Sequence, residues 1–67
     1  TELEYKIIRM LVEVRIKHKL TQAELAKRIK TKQSVISRVE NAQTTPTLSF
    51  LKRVADALNT ELQVKFA

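Results

Sequence analysis

The sequence contains no glycine, no cysteine and a single proline, Pro46. Without glycine there is no Walker loop and no dinucleotide-binding loop, because both need glycines where the backbone meets phosphate. Without cysteine there is no disulfide framework and no thiolate metal site. So little glycine and proline favours helices joined by short turns over a hairpin-rich β fold. Long apolar runs are also missing. The longest is Met10–Val12, far short of the ~20 residues that span a bilayer. No signal peptide is expected, since the opening TELEYK is acidic and mixed. The chain opens at Thr1, which leaves room for residues before it.

What is present fits one small domain of 67 residues. A core of that size gives modest stability, and a partner chain is one source of more. Hydrophobic residues at 43% and charged residues at 30% place the chain among globular proteins rather than disordered ones. The net charge is +6, from 13 Lys and Arg against 7 Asp and Glu. Such a balance suits a polyanion: nucleic acid, an anionic membrane surface or an acidic protein. A membrane-surface helix is the remotest of these, because the positive charge is spread over all the helices.

Apolar spacing predicts a helix over 3–18, with Leu3, Ile7, Met10, Leu11 and Val14 as its core stripe. Tyr5, Ile8, Val12 and Ile16 form a second stripe, covered either by the chain's own C-terminus or by a protein interface. Thr21-Gln22-Ala23-Glu24 is a capping box, which predicts a helix over 22–29 with Leu25, Ala26 and Ile29 inward. Thr31 is the expected N-cap of a third helix, 32–41, with Ile36 and Val39 inward. The polar loop Gln43–Thr47 holds Pro46, which disfavours helix at Thr45. Thr47 then caps a fourth helix, 48–58, with Leu48, Leu51, Val54, Ala55 and Leu58 on one side. In Glu61–Phe66 polar and apolar residues alternate, with Leu62, Val64 and Phe66 on one face. That period predicts a short β-strand, and the domain offers it no strand partner.

Helices 22–29 and 32–41 meet at a tight turn, with small Ala26 allowing a close crossing. This is helix-turn-helix geometry, in which the second helix can enter a major groove. The outward arc of that helix carries Gln33, Ser34, Ser37, Arg38 and Asn41, with Lys32 at its start. Any one of these is ordinary on a solvated face. The whole arc inside this motif is not.

The stretch LTQAELAKRIKTKQSVISRVENAQTTPTLSFLKRVADAL, Leu20–Leu58, resembles the lambda-repressor-like helix-turn-helix family of the XRE type. The pieces LTQAELA, QSVISRVE and PTLSFLKRVADAL stand in the family's order and spacing, and the likeness runs from about Ile7 to Leu58. The resemblance implies an all-α four-helix domain that binds double-stranded DNA sequence-specifically, generally as a homodimer on a two-fold operator. It implies no enzyme and no cofactor. The family pattern puts Gln33, Ser34, Ser37 and Arg38 at the bases, and Gln22, Lys32 and Thr44 at phosphates. Gln suits adenine and Arg suits guanine. Two turns depart from the pattern: Lys30 and Ala42 stand where the family usually has glycine, which puts the local geometry in question.

One domain of this kind neutralises roughly 4–5 phosphates, so useful affinity calls for a dimer. The predicted C-terminal strand could pair with its own copy. That would bury Leu62, Val64 and Phe66 against Tyr5, Ile8, Val12 and Ile16, or against their partner copies. The run from Gln33 to Phe66 is also similar to antitoxins of the HigA kind, which bind an RNA-cleaving toxin and repress their own operon. That likeness implies a toxin partner and a cytoplasmic, nucleoid-associated protein of bacterial or phage origin. A stand-alone regulator, or a protein-interaction module that keeps the fold without reading DNA, are the alternatives. His18 stands alone, without a second metal ligand, and no nucleophile–base pair is visible.

Overall fold

The computed structural model describes all 67 residues, Thr1–Ala67. Four helices follow one another: α1 Glu2–Lys17, α2 Gln22–Arg28, α3 Gln33–Glu40 and α4 Leu48–Ala57. Threonines start three of them. The Thr1, Thr21 and Thr47 hydroxyls accept from the amides of Glu4, Glu24 and Phe50 at 3.3, 3.1 and 3.0 Å. At α2 the capping box is complete, since the Thr21 amide donates to Glu24 Oε1 at 2.9 Å. The expected cap at Thr31 is corrected. Lys32 is the N-cap of α3, and its side chain makes no capping bond. Thr31 is used by the preceding helix instead, its amide closing onto the Ala26 carbonyl at 2.9 Å.

That bond belongs to a pattern repeated four times. Each helix ends with one residue at positive φ: Lys19, Lys30, Ala42 and Asn59, at 57°, 57°, 61° and 52°. After each, the next amide reaches back across the last turn: Leu20 to Arg15, Thr31 to Ala26, Gln43 to Arg38 and Thr60 to Ala55. These are Schellman endings, which normally place glycine at the left-handed position. A chain without glycine holds four side chains there, each against a steric cost.

The core is Leu11, Leu20, Leu25, Ala26, Ile29, Ile36, Val39, Leu51, Val54 and Leu58. Leu25 and Ile36 are wholly enclosed, and buried Ala26 keeps α2 and α3 close. On α1 the two expected stripes are one face and its rims. At 100° per residue, the covered arc runs about 160° from Val14 through Leu11 to Val12. Ile8 lies inside that arc and is buried. Leu3 and Met10 on one rim, and Tyr5 and Ile16 on the other, are exposed. Leu48, expected on the inner side of α4, is exposed too.

The C-terminal strand is not formed. Thr60–Ala67 has no regular secondary structure, because the chain offers no second extended segment to complete a ladder. Leu62 folds back against the core and lines a cleft with Met10, Leu11 and Val14 of α1 and Leu51 of α4. The tail therefore lies over the Met10 rim. It does not lie over Tyr5 and Ile8, which line a cleft with Ala42, Thr44 and Thr45 of the loop after α3.

Candidate nucleic-acid interface

Helix α3 separates its side chains cleanly. Ile36 and Val39 are buried and Val35 is half-buried. On the other side Gln33, Ser34 and Arg38 are exposed and Ser37 is half-exposed. From Gln33 to Arg38 this outer arc spans about 140°. The four residues expected at bases thus share one accessible face. Asn41, just past the helix end, joins it by donating from Nδ2 to Ser37 Oγ at 3.4 Å.

The start of α3 is open to an anion. It alone among the four helices has no side-chain cap, and its first turn holds no acidic residue. The free N–H groups and the positive end of the helix dipole favour negative charge there. Lys32, exposed at the N-cap, adds a full charge. Neither Lys32 nor Arg38 is engaged in an ion pair.

The surrounding charge is one-sided. Between Glu24 and Asp56 the chain carries Lys27, Arg28, Lys30, Lys32, Arg38, Lys52 and Arg53 against a single acid, Glu40. Glu40 is withdrawn from the surface, its side chain 5% exposed. It accepts from Arg15 Nε and Nη2 at 2.7 and 2.9 Å. The bond to Glu40 is the main reason the Arg15 guanidinium holds its proton more firmly than usual; its partial burial opposes this and the carboxylate charge adds to it. Arg15 also donates from Nη1 to the Leu20 carbonyl at 2.7 Å, so one side chain of α1 fixes both α3 and the approach to α2. No buried side-chain polar atom is left without a partner.

Gln22, expected at a phosphate, is half-buried and belongs to the same network. Its Nε2 donates to Glu40 Oε1 at 2.9 Å. One Nε2 proton is thereby committed, and the amide has a second proton free. Thr44 is exposed in the loop after α3, against Tyr5 of α1. The neighbouring Thr45 hydroxyl donates to Glu4 Oε2 at 3.4 Å, tying that loop to α1. The expected interface residues are divided. Tyr5, Ile16, Val64 and Phe66 are exposed, Val12 and Leu62 half-buried, and Ile8 buried in its own chain.

Sequence reasoning missed Arg15 and its bond to Glu40. The signal was available. On the α1 wheel Arg15 falls within the apolar arc, between Leu11 and Val12. A lone cation inside an apolar face needs a buried acid opposite it.

Comparison with known proteins agrees with this geometry. The helix-turn-helix family model matches residues 11–65. The chain belongs to the helix-turn-helix family of the lambda-repressor-like, XRE type, whose fold is that of a DNA-binding transcription regulator. No curated protein and no solved structure matches the chain. No helix is long and apolar enough to cross a membrane.

Proposed function

We propose that this chain is a sequence-specific repressor, without catalytic activity, that binds a two-fold operator in double-stranded DNA as a homodimer. The observation that carries the reading is the outer arc of α3. Gln33, Ser34 and Arg38 are exposed on it, its N-terminus is uncapped, and the one acid of α3, Glu40, is enclosed by Arg15. A groove-reading helix needs such a face: donors and acceptors matched to base edges, no repulsion of phosphate, and a rigid platform beneath. In this reading Gln33, Ser34, Ser37 and Arg38 meet bases, while Lys32, Gln22 and Thr44 meet phosphates. Gln22 would use its second Nε2 proton, with Glu40 fixing the amide's direction.

The experiment is a titration against the chain's own upstream promoter at two salt concentrations, with a scrambled duplex as control. Tight binding to the promoter alone, falling steeply with salt, is the expected result. Equal and weak binding to both duplexes would overturn the reading.

The finer reading is an antitoxin that also neutralises an RNA-cleaving toxin and represses their shared operon. It is supported by the resemblance of Gln33–Phe66 to HigA-like antitoxins and by apolar side chains left open on α1, Tyr5 and Ile16 among them. Co-expression with the neighbouring reading frame tests it. Rescue of growth, together with a copurifying complex, is the expected outcome. With Arg38→Ala and Gln33→Ala the complex should persist while operator binding is lost.

A further inference from the structure

The groove-reading helix α3 is held at both ends by arginines of other helices. Its last residue, Glu40, is bound by Arg15 of α1. At its start the hold comes from α4. Arg53 donates from Nη2 to the carbonyl of Ile29, the C-cap of α2. No backbone amide reaches that carbonyl. The Arg53 bond is also the one side-chain hydrogen bond made to the segment Ile29–Lys32.

That segment is the turn of the helix-turn-helix, and little else fixes it. Lys30 holds a left-handed φ of 57° there without being glycine. Lys32 then starts α3 with no side-chain cap. No acid places Arg53 at the turn. Arg53 is in no ion pair, and Asp56 of the same cleft is engaged by Lys52 at 3.2 Å. Arg28 and Lys30 line that cleft as like charges. What holds the guanidinium is the end of α2, where an unmatched carbonyl and the helix dipole present negative charge.

We propose that Arg53 is a positioning residue for operator reading, fixing the turn from which α3 enters the groove while touching no DNA itself. The proposal rests on the operator-binding reading and adds to it a residue outside the α3 arc. The lever is long enough to matter. Gln33 and Glu40 stand about 10 Å apart along the helix axis. With Glu40 held and the turn released, a tilt of about 10° carries Gln33 about 2 Å. A hydrogen bond to a base edge tolerates only about 0.5 Å. Lys32, a point charge on a flexible stem, still finds a phosphate after such a shift. Loss of Arg53 therefore weakens sequence reading and spares the general attraction to DNA.

The test uses the full chain with Arg53→Met, Arg53→Lys and, as a charge control on the same helix, Lys52→Met. Both positions are exposed, and circular dichroism with urea denaturation checks the fold of each variant. Fluorescence anisotropy against the promoter operator and a scrambled duplex, over a salt series, reads the binding. Arg53→Met should weaken operator binding about tenfold, the size of one bidentate base contact. Its scrambled-duplex affinity and its salt slope should match those of Lys52→Met. Arg53→Lys keeps a donor for the Ile29 carbonyl and should recover operator binding to within about threefold of wild type. In an Arg38→Ala background, where a base contact is already gone, Arg53→Met should cost less than it does in wild type, because the two residues act through one helix.

Unchanged operator binding by Arg53→Met would overturn the proposal while the operator reading stands. Equal loss on both duplexes, with the salt slope lowered by about one, would make Arg53 a phosphate contact instead. An unfolded Arg53→Met, or a loss equal in both backgrounds, would reduce Arg53 to a packing residue. A wild-type chain that does not prefer the operator would overturn the operator reading and this proposal together.

Discussion

The Arg15 guanidinium grips the Glu40 carboxylate in a bidentate pair, Nε to Oε2 at 2.7 Å and Nη2 to Oε1 at 2.9 Å. The pair joins α1 to α3 across 25 residues, with side chains 13% and 5% exposed. The surface pairs Lys6–Glu2, Arg9–Glu13 and Lys52–Asp56 are of another kind, each worth about 0.3–0.5 kcal/mol.

Removing one partner of the buried pair strands a charge in the interior, at a cost of about 3–5 kcal/mol. A domain of this length has only about 3–10 kcal/mol in total. Glu40→Ala is therefore expected to unfold much of the population at 37 °C. Arg15→Met with Glu40→Leu together should be near neutral or more stable, because both charges leave at once. Urea denaturation at one fixed protein concentration measures both. A Glu40→Ala variant as stable as wild type would refute the structural role of the pair.

The four left-handed residues give a second expectation. A side chain in that conformation costs about 1–2 kcal/mol, and glycine returns part of the gain through its freer unfolded state. Lys30→Gly and Ala42→Gly should each stabilise by about 0.5–1 kcal/mol. In a domain this small that is a rise of roughly 2–8 °C in Tm. Asn59→Gly should gain least, since asparagine tolerates the left-handed region. Thermal melts of the variants and Lys30→Asn separate this effect from the loss of the Lys30 charge. Unchanged or lower melting temperatures for both Lys30→Gly and Ala42→Gly would contradict the argument.

Most of the fold was legible because its signals are local. Apolar spacing, with the caps at Thr21 and Thr47, located the four helices to within a residue. The close approach of α2 and α3 followed from Ala26, which is small and buried. Signals that depend on distant partners were not legible. The breadth of the buried face of α1 depends on the loop after α3, which covers Ile8. The position of Leu62 depends on the gap between α1 and α4. The alternation of Glu61–Phe66 describes a strand only where a second strand exists, and one chain supplies none. The exposed arc of α3 was readable from the helical wheel alone, whereas Gln22's bond to Glu40 required the two elements to be brought together.

Substitutions on the outer arc of α3 should separate by role. Arg38→Ala removes a potential bidentate guanine contact and should cost about 1–3 kcal/mol of operator affinity while relaxing specificity at one base pair. Lys32→Ala should weaken operator and scrambled duplex alike and lower the salt slope by about one. Fluorescence anisotropy over a salt series distinguishes them. A uniform loss from Arg38→Ala would move that residue from base to phosphate contact.

The capping box at α2 makes a prediction about acid. Glu24 sits below the usual carboxylate range, chiefly because the Thr21 amide donates to it, with the Thr21 hydroxyl and the Arg28 charge adding and slight desolvation opposing. A lowered folded value means the ionised form favours the folded state. That contribution is complete above the unfolded Glu value of about 4.3 and is lost as pH falls through the folded one. Glu24→Gln keeps an oxygen for the Thr21 amide but cannot titrate. Wild type should therefore be the more stable of the two at neutral pH, and the difference should shrink as the pH drops below about 4.3. Denaturation curves for both proteins from pH 7 to pH 3 make the comparison, and parallel profiles across that range would remove Glu24 from the acid response.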